Sequence, residues 1–347
     1  MKKTITVLTI CAALAACHDV EEWGGDMYGN FDALWTQVDE HYCFFEEKGV
    51  DWNEIGRKYR SRIDPENMKT AEYFNLLGDM LNELHDGHVN LSSSFNTSYY
   101  RKWWSDYPQN YDDRLVKQYY LRFDYSQSGP LSYKVLNDTI GYMRVSSMSG
   151  GIPQGALDVS LLSFAEADCP ALIIDVRDNG GGYMTTAQDL VERFIDRRTL
   201  VGYISHKTGP GHSDFSEPYP FYYDTAEGHV RWLRPVVILT NRSTFSAANN
   251  FVSIMRLLPN IRIVGDRTGG GSGMPYSSEI PCGWAVRMSA CPVYDAQKQL
   301  TEHGVPPTEG CEVDLDPVLA LSGTDTMLDF ALAQAADWRK WYVKPKK

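Results

Sequence analysis

From residue 138 onward, short apolar runs alternate with helical periods, and this alternation restricts the fold more than any other feature of the chain. Residues 171–176 and 235–240 are apolar apart from Asp175 and Thr240. Short runs of this kind, without a period of two, suit strands covered on both faces. Further strands are predicted at 139–145, 200–205 and 261–264. Helices are predicted at 157–164, 184–195 and 246–258. Strands and helices in this order make a sheet with helices packed on its faces. Residues 278–288 are predicted to form a hairpin turning at Cys282-Gly283-Trp284, and 326–338 a closing helix.

The first part of the chain follows a different period. Phe31, Leu34, Trp35, Val38, Tyr42 and Phe45 fall on one face of a 3.6-residue helix. Asp51 is placed to cap a second helix carrying Trp52, Ile55, Tyr59 and Ile63. Beyond Pro65, Thr70 is placed to cap a third, with Tyr73, Leu76, Leu77, Met80 and Leu84 inward. Three such helices make a small bundle or a cap on something larger. Residues 91–137 are crowded with Tyr, Trp, Ser and Asn and show no sustained period. They are expected to form an irregular connector or a wall of a peptide-binding groove. The class expected is α+β, with a helical unit at 17–90, the connector at 91–137 and an α/β core at 138–347. A chain of 347 residues is long enough for about two domains.

Residues 1–16 are expected to leave the fold. Lys2 and Lys3 precede an apolar run over residues 5–16, the layout of a secretory signal. Leu14-Ala15-Ala16-Cys17 resembles the bacterial lipobox, which implies that Cys17 becomes a lipid-modified first residue anchored to a cell-envelope membrane; a plain secretory signal is the other reading. No second apolar run approaches the 18 or so residues of a membrane span. The net charge of −12 argues against a nucleic-acid surface, because phosphate binding needs clustered cations. Cys43, Cys169, Cys282, Cys291 and Cys311 show no zinc-binding spacing. Cys282 and Cys291 could close a small disulfide loop, but buried or free thiols are favoured.

Three places combine reactive side chains with backbone that exposes them. Asn179-Gly180-Gly181-Gly182 follows a buried strand, where glycines can turn the chain and present amide N–H groups to an anion. No Gly-Lys-Ser/Thr follows, so this is not a phosphate loop. Asn241-Arg242-Ser243-Thr244-Phe245-Ser246-Ala247-Ala248 lies between a buried strand and a helix. Its serines suit helix caps, and a serine there also sits at the positive end of a helix dipole. Leu84-His85-Asp86-Gly87-His88 closes the third helix, where capping and surface histidines compete with metal binding by two histidines beside Asp86, for which the sequence offers no further ligand cluster.

These motifs together resemble a known family. Leu84 to His88 echoes its Leu-x-Asp-Gly-His. Residues 173–182 resemble its strand and glycine loop, and Thr244 to Ala248 its nucleophile segment. Gly265-Asp266-Arg267-Thr268-Gly269-Gly270 and Glu302-His303-Gly304-Val305-Pro306-Pro307 resemble two further turns. In this order they resemble the tail-specific, or C-terminal processing, serine peptidases, within them the tricorn-like branch.

The resemblance implies a crotonase-like core of ββα units and polypeptide substrates; with no metal or phosphate motif in the sequence, neither cofactor nor metal is expected. It implies Ser246 as nucleophile, His88 as general base and Glu302 as the group orienting the imidazole. It also implies an oxyanion hole from Gly180 or Gly181 and the N–H of Ala247. The processing branch uses a lysine base about 25 residues after the serine. Gly269-Gly270-Gly271-Ser272-Gly273 has none there, leaving Lys207 as the fallback.

Two departures bear on the site. Tricorn-type enzymes carry a serine before the histidine, linking it to the glutamate; here Gly87 stands there, which makes Asp86 a rival orienter. Asn249 stands where the family often has glutamate. The stretch between His88 and residue 139 is too short for a PDZ domain, so none is expected. Two other readings are a catalytically silent relative that binds peptides or hydrophobic ligands, and a crotonase-type enzyme acting on an acyl thioester.

Overall fold

The computed structural model describes residues 23–343. The signal sequence and Cys17 lie outside these residues. The helical start consists of α1 (Met27–His41), α2 (Phe45–Lys48), α3 (Trp52–Arg60) and α4 (Thr70–Asn82). Asp51 caps α3 as expected, accepting the Glu54 N–H at 2.9 Å. Thr70 is not the cap of α4. The cap position is Lys69, and Glu72 reaches back to accept the Lys69 N–H at 2.9 Å.

Strands β1 (Asn90–Ser92) and β2 (Thr97–Tyr99) follow, then α5 (Lys102–Ser105), α6 (Asp113–Leu115) and a π-helical turn, Val116–Tyr120. The hairpin β3 (Ser126–Ser128) and β4 (Leu131–Leu136) leads to β5 (Ile140–Val145), α7 (Gln154–Glu166), β6 (Leu172–Asp175) and α8 (Met184–Val191). After β7 (Thr199–Ile204) and β8 (Tyr219–Tyr223) come β9 (Val236–Thr240), α9 (Ala247–Met255) and β10 (Ile261–Gly265). The hairpin β11 (Gly273–Glu279) and β12 (Ala285–Asp295) precedes α10 (Pro317–Leu321) and α11 (Thr326–Ala336).

Two six-stranded sheets result. One runs β10-β9-β6-β5-β4-β3, with its first four strands parallel. Its two faces are buried, one under α7, α8 and α9 and the other under α11, which is why β6 and β9 read as apolar throughout. The other runs β2-β1-β12-β7-β8, with β11 also on β12, and is antiparallel. Phe31, Leu34, Trp52, Phe74 and Leu77 of the helices share one core with Trp284, Val286 and Met288. The helices therefore cover the second sheet rather than enclose a core of their own.

The connector is more regular than its sequence suggested, since β4 supplies a full strand to the central sheet. The cysteines among the described residues are free thiols, those of Cys282 and Cys291 included.

Candidate active site

Ser246 stands at the junction of β9 and α9, where hydrogen bonds from three directions fix the backbone. Thr244 donates its hydroxyl to the Val176 carbonyl at 2.8 Å. The Phe245 N–H reaches the Asn179 carbonyl at 3.0 Å, and the Ser246 N–H reaches that of Gly270 at 2.8 Å. These bonds hold Ser246 at φ 56° and ψ −123°, a left-handed conformation that costs a non-glycine residue about 1–3 kcal/mol. The side chain makes no helix-cap bond, so its hydroxyl is free for another partner.

That partner is His88. Its Nε2 lies 2.9 Å from Ser246 Oγ, across 158 residues of sequence. The loop from α4 to β1 carries the imidazole in, with Leu84 fully buried behind it. Asp86 sets the loop, accepting the His88 N–H at 2.8 Å and the Tyr42 hydroxyl at 3.0 Å. Phe245 packs against the ring, and Trp103 stacks on Phe245. Burial pushes the His88 pKa down to about 4, against the opposing charge of Asp86; Arg287 and Lys48 push it lower. The ring is thus neutral across the physiological range, the form in which Nε2 accepts the serine proton. The Gly273 carbonyl beside the ring favours the charged form, but Nδ1 has no partner in hydrogen-bonding geometry among the described residues.

Glu302 does not touch His88. Its carboxylate pairs with Lys48 Nζ at 2.9 Å and accepts the Ser272 N–H at 2.8 Å. Lys48 also stands 3.4 Å from Asp86 and donates to the His85 carbonyl at 3.2 Å. Two carboxylates and one ammonium are therefore buried together behind the imidazole. Burial and the Asp86 charge raise Glu302 to about 7, while Lys48 pulls it down. The serine of the tricorn-type linkage has no room here. A Cβ on Gly87 would lie 2.5 Å from Trp103 Nε1 and 2.9 Å from Phe245 Cζ.

The glycine loop lies against the nucleophile. A Cβ on Gly181, at φ +90°, would come within 2.6 Å of the Phe245 carbonyl oxygen and 2.8 Å of Ala247 N. Only glycine fits there. The Gly181 N–H is already taken by Asn179 Oδ1 at 2.9 Å, and Asn179 in turn donates to the Val145 carbonyl. The N–H groups of Gly180 and Ala247 have no partner among the described residues. Below the loop, Arg177 makes paired bonds to Asp175 and Asp325, all three buried, which fixes the exit of β6 to the start of α11.

Ser246 and His88 open into a cleft of two lobes. The larger, about 500 Å³, is lined mainly by apolar surface including Met184, Met274, Pro275 and Val293. The smaller, about 320 Å³, has Tyr99, Trp103 and Phe245 in its wall. Lys207 lines neither and donates to the Gly211 carbonyl. His85 packs on Tyr100, away from Ser246. Among the described residues no three His, Cys, Asp or Glu side chains gather as a metal site. Sequence reasoning missed Lys48, whose place behind the site comes from packing α2 against the His85–His88 loop. It missed Asn179 as the loop's brace.

Residues 139–310 match the model of peptidase family S41, and residues 26–82 that of the tricorn protease C1 domain. The crystal structure of a candidate peptidase from Parabacteroides merdae has a TM-score of 0.83 and 44% identity, covering 89% of this chain and 96% of that one. Tricorn protease of Thermoplasma acidophilum is 27% identical over 207 residues, 58% of this chain and 17% of the relative. The carboxy-terminal processing protease CtpA of Bacillus subtilis is 24% identical over 153 residues, 44% of this chain and 30% of the relative. The chain thus spans under a third of the length of these two relatives. It belongs to peptidase family S41, and so to the serine-type peptidases.

Proposed function

We propose that the protein is an endopeptidase acting on polypeptides, with Ser246 as nucleophile and His88 as general base. The observation that carries this reading is the 2.9 Å approach of His88 Nε2 to a serine hydroxyl free of any capping bond. In the first step Ser246 Oγ attacks the scissile carbonyl carbon and His88 Nε2 takes the hydroxyl proton. The Gly180 and Ala247 N–H groups receive the developing oxyanion, each such donor being worth roughly 3–4 kcal/mol. His88 then protonates the leaving amine, and water repeats the sequence on the acyl-enzyme.

The group balancing the imidazolium in this reading is Asp86, since its charge acts on His88 and that of Glu302 is absorbed by Lys48. Glu302 and Gly181 act as positioning residues. Glu302 acts through Lys48 and Ser272, and Gly181 by letting the loop lie against Ser246. The β4–β5 hairpin running into α7 supports a crotonase-like ββα reading of the core.

A fluorophosphonate probe should label the protein on Ser246 and abolish hydrolysis of unfolded protein, with EDTA lacking effect. A catalytically silent peptide binder would stay unlabelled, and loss of activity on chelation would remove the metal-free mechanism. We also propose lipid anchoring through Cys17 to a bacterial envelope membrane. Cys17→Ser should move the protein from the membrane to the soluble fraction, because one remaining hydrophobic signal cannot replace several acyl chains. Unchanged fractionation would argue for a plain secretory signal.

A further inference from the structure

Among the described residues, the two lobes of the catalytic cleft share one charged side chain, Arg287, and no carboxylate lines either of them. This is unusual company for an arginine in a chain with 45 acidic residues and 33 basic ones. Arg287 projects from β12, opposite Asn90 of β1 and Ser277 of β11. Its neighbours Val286 and Met288 point into the core, so the alternation of the strand turns Arg287 to the cleft side. It makes no ion pair, hydrogen bond or ring contact among the described residues. By contrast, Arg177, Arg193 and Arg256 are each paired with an aspartate.

The acid whose charge most affects Arg287 is Asp86. Asp86 cannot serve as its partner, because it is committed to Tyr42, Lys48 and the His88 N–H on the buried side of the imidazole. Arg287 is exposed on its strand, so its guanidinium is accessible from the cleft and has no counter-ion among the described residues. An accessible, unpaired guanidinium in the wall of both lobes beside a nucleophile is free to take a substrate group. The guanidinium fork matches a carboxylate in shape and charge.

We propose that Arg287 is a specificity-determining residue that binds a substrate carboxylate close to the scissile bond. The inference rests on the peptidase reading and adds the substrate's chemistry. The apolar walls of the larger lobe accept a hydrophobic side chain, and Arg287 pairs with an acidic group beside it. The carboxylate has two sources, an Asp or Glu side chain or a free C-terminus. Cationic residues at the same place meet repulsion, with no carboxylate among the described residues of the cleft wall to offset it.

The test begins by mapping the bonds cut in an unfolded protein and building amidated peptides around one of them. Glu, Gln or Lys is placed in turn at the positions flanking the bond, and the Gln peptide is also made with a free C-terminus. A charge-assisted bond of this type should favour the Glu peptide over the Gln peptide by about 10- to 100-fold in kcat/KM at one position. The Lys peptide should fall below both. Arg287→Gln should collapse the Glu-to-Gln ratio to within a few-fold, Arg287→Lys should keep part of it, and Arg287→Glu should invert it toward Lys. A preference for the free C-terminus over the internal Glu assigns the carboxylate to the chain end. Equal cleavage of all peptides by the unmodified enzyme would overturn the role of Arg287 and leave the peptidase reading standing. Failure to cut either peptide or unfolded protein would remove both.

Discussion

Ser246→Ala and His88→Ala should each lower turnover on unfolded protein by on the order of a thousand-fold or more, and the double variant should be little worse than either. The reason is the 2.9 Å contact between them: without the base the hydroxyl stays protonated, and without the hydroxyl the base has nothing to activate. Additive losses in the double variant would mean that the two act in separate steps. The pH profile identifies the base. Burial holds the His88 pKa at about 4, below the ordinary imidazole value, so the neutral ring survives to lower pH than an exposed histidine. kcat/KM should therefore stay level as pH falls from 8 to 5 and then drop through one ionisation near 4. The unperturbed imidazole range, about 6 to 7, is where sequence alone would put that drop. Asp86→Asn should move the limb lower, because the Asp86 charge raises His88. Glu302→Gln should leave it in place. A limb near 6.5 would mean that the ring is solvated in the working enzyme.

The parts of this molecule that were legible in the sequence share one physical property: their local pattern and their tertiary environment agree. β6 and β9 are buried on both faces and read as unbroken apolar runs. α1 and α4 bury one stripe each and read with a 3.6-residue period. β8 went unrecognised because Tyr219, Phe221, Tyr222 and Tyr223 lie on a strand with much of its surface exposed, so hydrophobicity did not alternate. β4 was lost among aromatic residues that looked like connector.

The site divides in the same way. The Ser246 turn and the glycine loop are encoded locally, by glycines and small polar residues at fixed offsets from a strand end. The surroundings of His88 are not. Gly87 gave notice that the tricorn-type linkage was incomplete, but nothing near it in sequence pointed 39 positions back to Lys48. That lysine is one cation among 33 in the chain, and only the packing of α2 under the catalytic loop distinguishes it.

Lys48 accordingly carries the second large effect. Lys48→Met should destabilise the protein by about 3–5 kcal/mol at pH 8, the cost of leaving buried charge without its partner. Asp86 keeps the Tyr42 hydroxyl and the His88 N–H, so the burden falls mainly on Glu302, which keeps the Ser272 N–H but loses its cation. The chain can relieve the penalty by protonating Glu302, and this gives the effect a definite sign with pH. Glu302 already titrates near 7, above its ordinary carboxylate value, and losing Lys48 raises it further. A group whose folded pKa is raised contributes its stability below the unfolded pKa and loses it as pH rises through the folded one. The deficit of Lys48→Met should therefore be small near pH 5 and grow toward pH 8, as read from denaturant midpoints at the two values. Lys48→Arg keeps the charge and should lose much less. Adding Glu302→Gln to Lys48→Met should recover a good part of the loss at pH 8, because the amide still accepts the Ser272 N–H without a buried charge. A deficit equal at pH 5 and pH 8, or unrelieved by Glu302→Gln, would mean that Lys48 supports the fold through its packing and not through the carboxylates behind His88.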